Sequence, residues 1–508
     1  MLPQRLRWAT SSMSLELITR AAHHNLRNAI VDRGGTYTYA RLSDASAAVA
    51  SGLLRATNDL AESRVAFLVP PSFQYVVTQW AIWRAGGIAV PLGLSHPPGE
   101  LAHVLDDSES TVVVAHPEYA ERAAEVAEPR NIPVALISSL LDAESRSLPE
   151  IDERRRAMML YTSGTTGKPK GVVTTHAQIR AQVTSLVEAW EWSADDKILL
   201  VLPLHHVHGI VNVVTCALWS GACCEMLPRF DALETWSRVV ERPLTLFMAV
   251  PTIYRRLIAA WEDSLTPERE RMSAACTRLR LMVSGSAALP VSVLEQWRAL
   301  SGHVLCERYG MTEIGMGLSN PLHGARIPGS VGTPLPGVEV RLVDEQMRDV
   351  PVGTPGEILI RGPSVFLEYW RRPEDTAAAF DDGWFKTGDV AVIEDGRYRI
   401  LGRRSVDIIK TGGYKVSALE IEEVLRAHEA IRECAVVGAP DLEWGERVCV
   451  AVELVDEATL TLDELRLWTR DQLAPYKIPK QLKVVTALPR NAMGKVTKPD
   501  ITALFDES

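Results

Sequence analysis

The chain has 508 residues, 46% of them hydrophobic and 23% charged, and a mean hydropathy close to zero. Single cores seldom grow much past about 250–300 residues, so two or three domains are expected. A formal charge of −10 excludes a nucleic-acid or anionic-membrane binder, since both need a basic face, but it permits cations gathered inside a cleft.

The first fourteen residues, MLPQRLRWATSSMS, carry Arg5, Arg7 and several hydroxyls, with no acid before Glu16. Two readings stay open for this 1–14 leader. It is an organellar presequence, which would send the chain to the mitochondrial matrix, or an unstructured lead-in on a cytoplasmic protein that starts effectively at Met13. From about Thr36 to Val340, apolar runs alternate with helical patterns. RVAFLV (Arg64–Val69), TVVVAH (Thr111–His116), KILLVLP (Lys197–Pro203), TLFMAVP (Thr245–Pro251) and RLMVSG (Arg280–Gly285) are short, rich in β-branched residues and bounded by turns. They read as buried strands, and Leu42–Thr57 and Val291–Leu300 as helices between them, which predicts α/β layers with largely parallel sheets.

Ile210–Cys224 is the longest apolar stretch; Asn212 and Ser220 break it and it is too short to span a bilayer, so it reads as core. The seven cysteines (Cys216, Cys223, Cys224, Cys276, Cys306, Cys434 and Cys449) are scattered and include no CxxC pair. Neither a disulfide framework nor a zinc site is indicated, and a reducing compartment is expected. From Gly353 the texture changes to short strands with frequent glycine turns, a small β-rich module closing the larger body. A boundary near Gly402–Ser405 divides a large domain, 1–403, from a compact α+β unit, 404–508, with helices at Ala418–His428 and Leu462–Leu473 around the strands AVVGAP and VCVAVEL.

The segment with the clearest chemistry is Tyr161-Thr-Ser-Gly-Thr-Thr-Gly-Lys-Pro-Lys-Gly171, set between two apolar strands. Its glycines let backbone approach an anion, Thr162, Ser163, Thr165 and Thr166 bring hydroxyls, and Lys168 and Lys170 bring charge. Gly164 and Gly167 are too close together, and Pro169 follows the lysine, so this is not a Walker A loop. A polyphosphate is the expected ligand.

This string resembles the phosphate loop of the adenylate-forming enzymes, which include acyl-CoA synthetases, luciferases and the adenylation domains of peptide synthetases. Four more signatures follow in that family's order: Tyr309-Gly-Met-Thr-Glu313, Lys386-Thr-Gly-Asp389, Gly402-Arg403 through Asp407 to Gly412-Gly413, and Pro489-Arg-Asn-Ala-Met-Gly-Lys495. The resemblance implies ATP, Mg²⁺ and CoA, and an acyl-adenylate made before the thioester. It assigns nucleotide contacts to residues 162–170, to Gly285, Ser286 and Ala287 against adenine, and to Tyr309, Gly310 and Met311. It further implies phosphate contact by Thr312, Mg²⁺ at Glu313 with Thr165, ribose binding by Asp389, a ribose or phosphate contact from Arg403, and a catalytic Lys495. A small mobile C-terminal domain would swing at Ser405, where many relatives carry Asp or Lys. Lys410, Gly412, Gly413 and Tyr414 would then line the CoA thiol tunnel.

Within the family the strings Leu202–Gly209, Met248–Tyr254, Arg280–Pro290 and Glu307–Gly315 resemble the malonyl-CoA synthetases, including the malonyl/methylmalonyl type. A dicarboxylate brings a second charge that needs a cationic partner. Arg280 is expected to supply it, with His206 as gate or pocket wall and His208 nearby. A medium-chain fatty-acid or aryl-acid CoA ligase shares every ATP motif and stays open as the alternative. A peptide-synthetase adenylation domain is disfavoured, since the sequence runs only about ten residues beyond Lys498. Small-molecule substrates alone are expected as partners, without nucleic acid or integral membrane contact; oligomeric state is left open.

Overall fold

The computed structural model describes residues 15–55, 57–162, 169–412, 414–442, 444–490 and 495–505. The leader, the phosphate-loop residues Ser163, Gly164, Thr165, Thr166, Gly167 and Lys168, and also Gly413, lie outside the described residues.

The apolar runs form two large sheets. One has seven strands, in the order Glu368–Tyr369, Lys170–Thr175, Arg156–Thr162, Ile88–Pro91, Arg64–Leu68, Val112–Ala115 and Val134–Leu136. Both faces are covered: along Arg64–Leu68, Val65 and Phe67 enter one apolar cluster while Ala66 and Leu68 enter another. A strand buried on both sides has no polar face to show, which is why its sequence reads as a continuous run. The second sheet has nine strands, and at its centre Lys197–Leu200, Leu246–Ala249, Leu281–Ser284 and Cys306–Met311 lie side by side and parallel. Their C-terminal ends therefore open on one edge, where an open α/β sheet places its ligands. The largest apolar cluster joins the two sheets, drawing on Val65 and Met158 from one and on Ile198 and Met282 from the other.

Ile210–Cys224 is buried as expected. It begins in a wide π-helical segment, His208–Thr215, passes into the short helix Cys216–Ser220, turns at Gly221 with φ 77°, and ends in the strand Cys223–Met226.

A five-stranded antiparallel sheet follows, with Trp384–Glu394 paired to Gly356–Arg361 and to Arg397–Arg403. The pairing sets Asp389 opposite Arg403. After a turn at 404–407, a last sheet of five strands, with Gly445–Leu454 between Ile431–Asp441 and Gln481–Val484, packs on the helices Ala418–Leu425 and Leu462–Thr469. The expected elements are present with ends shifted by a few residues, for instance helices that stop at Leu425 and Thr469. The α/β class with a smaller C-terminal α+β unit is the observed architecture. All seven cysteines are free and buried. Among the described residues no helix is long and apolar enough to cross a membrane.

Candidate active site

The site gathers at the C-terminal edge of the nine-stranded sheet. Strand Leu281–Ser284 ends in Gly285-Ser286-Ala287, and Ser286 is held at φ 69°. Left-handed backbone is costly for a non-glycine residue and collects at functional turns. A Cβ on Gly285 would stand 2.5 Å from Cζ of Arg308, so the room this glycine leaves is filled by a guanidinium. Ser286 Oγ in turn lies 3.2 Å from Nδ1 of His208. His208 is buried and His206 half-buried, and each leaves its Nε2 without a hydrogen-bond partner among the described residues. Burial, with Lys495 and His96 nearby, pushes His206 down to about 3, and His208 also falls well below its usual value, so both are neutral at physiological pH.

The neighbouring strand, Cys306–Met311, turns through Thr312 and Glu313 into Gly315–Ser319. Gly310 is obligatory in this hairpin, because a Cβ there would come within 2.2 Å of the Gly315 carbonyl oxygen. Glu313 is buried and accepts one hydrogen bond, at 3.0 Å, from the hydroxyl of Tyr369. Burial raises its affinity for a proton. A carboxylate so little satisfied suits a divalent cation held mainly by phosphate oxygens. The described residues contain no cluster of three or more His, Cys, Asp or Glu able to hold a metal, so Glu313 fits Mg²⁺ only as one ligand among the substrate's own.

Asp389 and Arg403 meet across the adjoining sheet: Arg403 Nε donates to Asp389 Oδ1 at 2.9 Å, and Tyr309 Oη donates to Oδ2 at 2.6 Å. Lys170 pairs with Asp375 at 2.9 Å, and the carbonyl of Pro169 lies 2.9 Å from Nε2 of His103. Thr162 ends the strand that enters the phosphate loop.

Lys495 comes to this same place. Its side chain still touches solvent, yet it is crowded enough by protein that burial lowers its pKa. Arg308 and Arg403 lower it further and Asp389 opposes them. Lys495, carried by the C-terminal unit, thus stands among the residues gathered from the large one.

One expected residue is elsewhere. Arg280 precedes Leu281–Ser284 at the opposite end of the strand from Gly285, roughly 16 Å away along its length. Its guanidinium grips the buried Asp196 through Nε at 2.8 Å and Nη2 at 2.7 Å, and donates to the carbonyls of Trp190 and Glu191. Burial would raise the Asp196 pKa, but the hydrogen bonds from Arg280, Ser193 and Thr245 outweigh it. Arg280 is a structural clamp at the sheet's far edge, and the expectation that it meets the substrate is corrected.

The cation at the site is Arg308, which the sequence reading passed over. It is 4% exposed, no Asp or Glu pairs with it among the described residues, its Nε has no partner, and its one contact is a long 3.5 Å approach to Ser286 Oγ. Burial pushes it down to about 10, which still leaves it charged at neutral pH. The available signal was the charged pair Glu307-Arg308 directly after the apolar strand entry Val304-Leu305-Cys306.

The expected CoA residues lie on the C-terminal unit. A Cβ on Gly412 would strike the Trp444 ring at 2.7 Å, Tyr414 stacks on Tyr476 at 4.1 Å, and the main-chain N of Lys410 donates to Glu446. Ser405 sits exposed in the turn closed by the Asp407 N to Arg403 O hydrogen bond of 2.7 Å.

Comparison with known proteins identifies the family. The family described as AMP-binding enzyme matches residues 17–370, and its C-terminal domain matches 420–495. A mouse malonate–CoA ligase, mitochondrial ACSF3, is 47% identical over 96% of this chain and 90% of its own length. The crystal structure of ATP-bound MatB from Rhodopseudomonas palustris superposes with a TM-score of 0.89, at 33% identity over 97% of this chain and 99% of that one. Apo MatB from the same source gives 0.79. The chain belongs to the AMP-binding, adenylate-forming enzymes.

Proposed function

We propose that this AMP-forming acid–CoA ligase takes malonate as its acid. The observation that carries the choice is Arg308, a buried guanidinium without a carboxylate partner among the described residues, beside Ser286 and two neutral histidines at the mouth where Lys495 arrives. A buried charge left alone costs several kcal/mol, about 3–5 when a partner is removed, and a second carboxylate on the substrate relieves that cost. The malonate–CoA ligase relatives support the same acid.

In the first step one carboxylate oxygen of the acid bonds to the α-phosphorus of ATP and the bond to pyrophosphate breaks. Lys495 spans the α-phosphate and the reacting carboxylate, Thr312 and the 162–170 loop hold phosphate oxygens, and Asp389 accepts from the ribose hydroxyls. Mg²⁺, held by Glu313 and Thr165, would neutralise charge on the phosphates. Donors and cations fixed in advance are what such a step needs. In the second step the CoA thiolate attacks the acyl carbon and AMP leaves. The C-terminal unit rotates about the turn at Ser405 so that Lys495 withdraws and the strand of Lys410, Gly412 and Tyr414 faces the thiol.

A pyrophosphate-release panel of malonate, methylmalonate, propionate, octanoate and benzoate tests the choice. Malonate should lead, with methylmalonate next, because one methyl changes binding by only about 1–3 kcal/mol. Preference for octanoate or benzoate would show that Arg308 serves something other than a second carboxylate.

A further inference from the structure

Among the described residues three ion pairs tie residues 404–508 to the large unit, in quite different surroundings: Arg404 with Glu357 at 2.9 Å beside the boundary itself, Lys415 with Glu345, and Arg255 with Glu433. Lys415 reaches Glu345 at 2.7 Å, but both are well exposed. Arg255 is different. It projects from the helix Pro251–Glu262, which leaves the site edge directly after Leu246–Ala249, and its Nη1 lies 3.1 Å from Oε1 of Glu433 on the strand Ile431–Asp441. The other oxygen of that carboxylate holds Arg490.

Arg490 stands at the root of the catalytic loop. It forms an isolated β-bridge with Val496, Thr497 N donates to Pro489 O at 3.0 Å, and Leu488 N donates to Glu453, which faces Glu433 across the sheet. The base of the loop is thus pinned to its own unit by main chain and by the Glu433–Arg490 pair. Glu433 is only 17% exposed, so its two cations share a partly desolvated carboxylate. Arg255 is the one member that belongs to the large unit.

We propose that Arg255 is a positioning residue that registers the arrival of the Lys495 loop: by completing the Arg255–Glu433–Arg490 bridge it stabilises the docked, adenylating arrangement relative to the thioester-forming one. The inference rests on the adenylating reading of the site. When the C-terminal unit turns away, Glu433 and Arg490 travel together and stay paired, so within this bridge it is the contact with Arg255 that is lost. A contact present in one of two states shifts their populations by its differential strength. A partly exposed pair is modest in strength, so the effect should be measurable without being absolute.

The test is to measure the two half-reactions in full-length enzyme carrying Arg255→Ala, Arg255→Glu or Arg255→Lys. Malonate-dependent ATP–pyrophosphate exchange should fall about three- to tenfold in Arg255→Ala. It should fall further in Arg255→Glu, where two carboxylates oppose, and return to within about twofold of wild type in Arg255→Lys. Conversion of preformed malonyl-adenylate with CoA should stay at or above the wild-type rate in all three. Unchanged exchange in Arg255→Glu, or an equal fall in both half-reactions, overturns the proposal. If wild-type enzyme shows no acid-dependent exchange at all, it is the underlying reading that fails.

Discussion

Two arginines show how far a residue's environment, rather than its place in a motif, decides its work. Arg280 precedes one strand that leads into the site and Arg308 lies within the next, and position and pairing separate them: Asp196 takes Arg280 at the far edge, and no described carboxylate takes Arg308. Arg280→Ala would leave Asp196, 3% exposed, without its cation, so the melting transition should drop by the equivalent of about 3–5 kcal/mol. The KM for malonate should hardly move, because Arg280 lies at the far edge of the sheet. Arg308→Ala should do the reverse. Its kcat/KM for malonate should fall by about 10²–10³ while propionate, which lacks the second carboxylate, loses little. Equal losses for the two acids would remove Arg308 from the acid pocket. Sequence alone could not make this distinction. It shows that a strand begins with arginine but not which end of the sheet faces the ligand, and the partner of Arg280 lies 84 residues away in the chain.

At the scale of the element, the site depends on segments that depart from regular geometry. The π-helical turn at His208, the left-handed Ser286 and the hairpin through Thr312 and Glu313 all sit where parallel strands end. Wide helical turns and strained backbone recur at functional sites because regular repeats cannot aim side chains into one cleft. Gly310→Ala tests the hairpin. With the Gly315 carbonyl only 2.2 Å from the added carbon, the two strands must part, and adenylate formation should fall by more than tenfold with a lowered melting temperature. A fully active, equally stable variant would show that the hairpin yields at no cost. Lys495→Ala tests the loop. Adenylate formation should fall by two orders of magnitude or more, while preformed adenylate plus CoA still gives thioester; a comparable loss in both steps would refute a lysine that serves only the first. The strands and helices themselves were legible, since apolar runs of four to six residues between glycine and proline turns have few other solutions. The π-helical turn was not legible, because its sequence has the same apolar texture as an ordinary buried helix.

Across the whole molecule, buried neutral groups set how stability responds to pH. Burial holds His176 and His206 at about 3 and keeps His205 and His208 well below the usual 6.5. Below pH 6.5 the unfolded chain takes up protons on these histidines that the folded chain refuses, so stability falls with pH by up to about 1.4 kcal/mol per unit for each. Glu307, which burial pushes up to about 8, acts in the opposite sense: its contribution is complete below 4.5 and is lost as pH rises through 8. Four histidines outweigh one glutamate on the acid side. The melting temperature should therefore peak near pH 6.5, with the steeper decline toward acid; a flat profile from pH 4 to 7 would mean that these histidines bind protons in the folded state.

The α/β architecture with its smaller C-terminal unit and the order of the nucleotide signatures could be read from the chain, because each depends on local patterning or on residues close in sequence. What could not be read was that Arg308 joins Asp389, Arg403 and Lys495, since its neighbours there come from distant segments of the chain.

The central claim is that the acid's own oxygen attacks ATP. Malonate labelled with ¹⁸O in its carboxylates, incubated with ATP and CoA, should yield AMP carrying one ¹⁸O for each malonyl-CoA formed, together with unlabelled pyrophosphate. Label appearing in inorganic phosphate beside ADP, with none in AMP, would contradict the account.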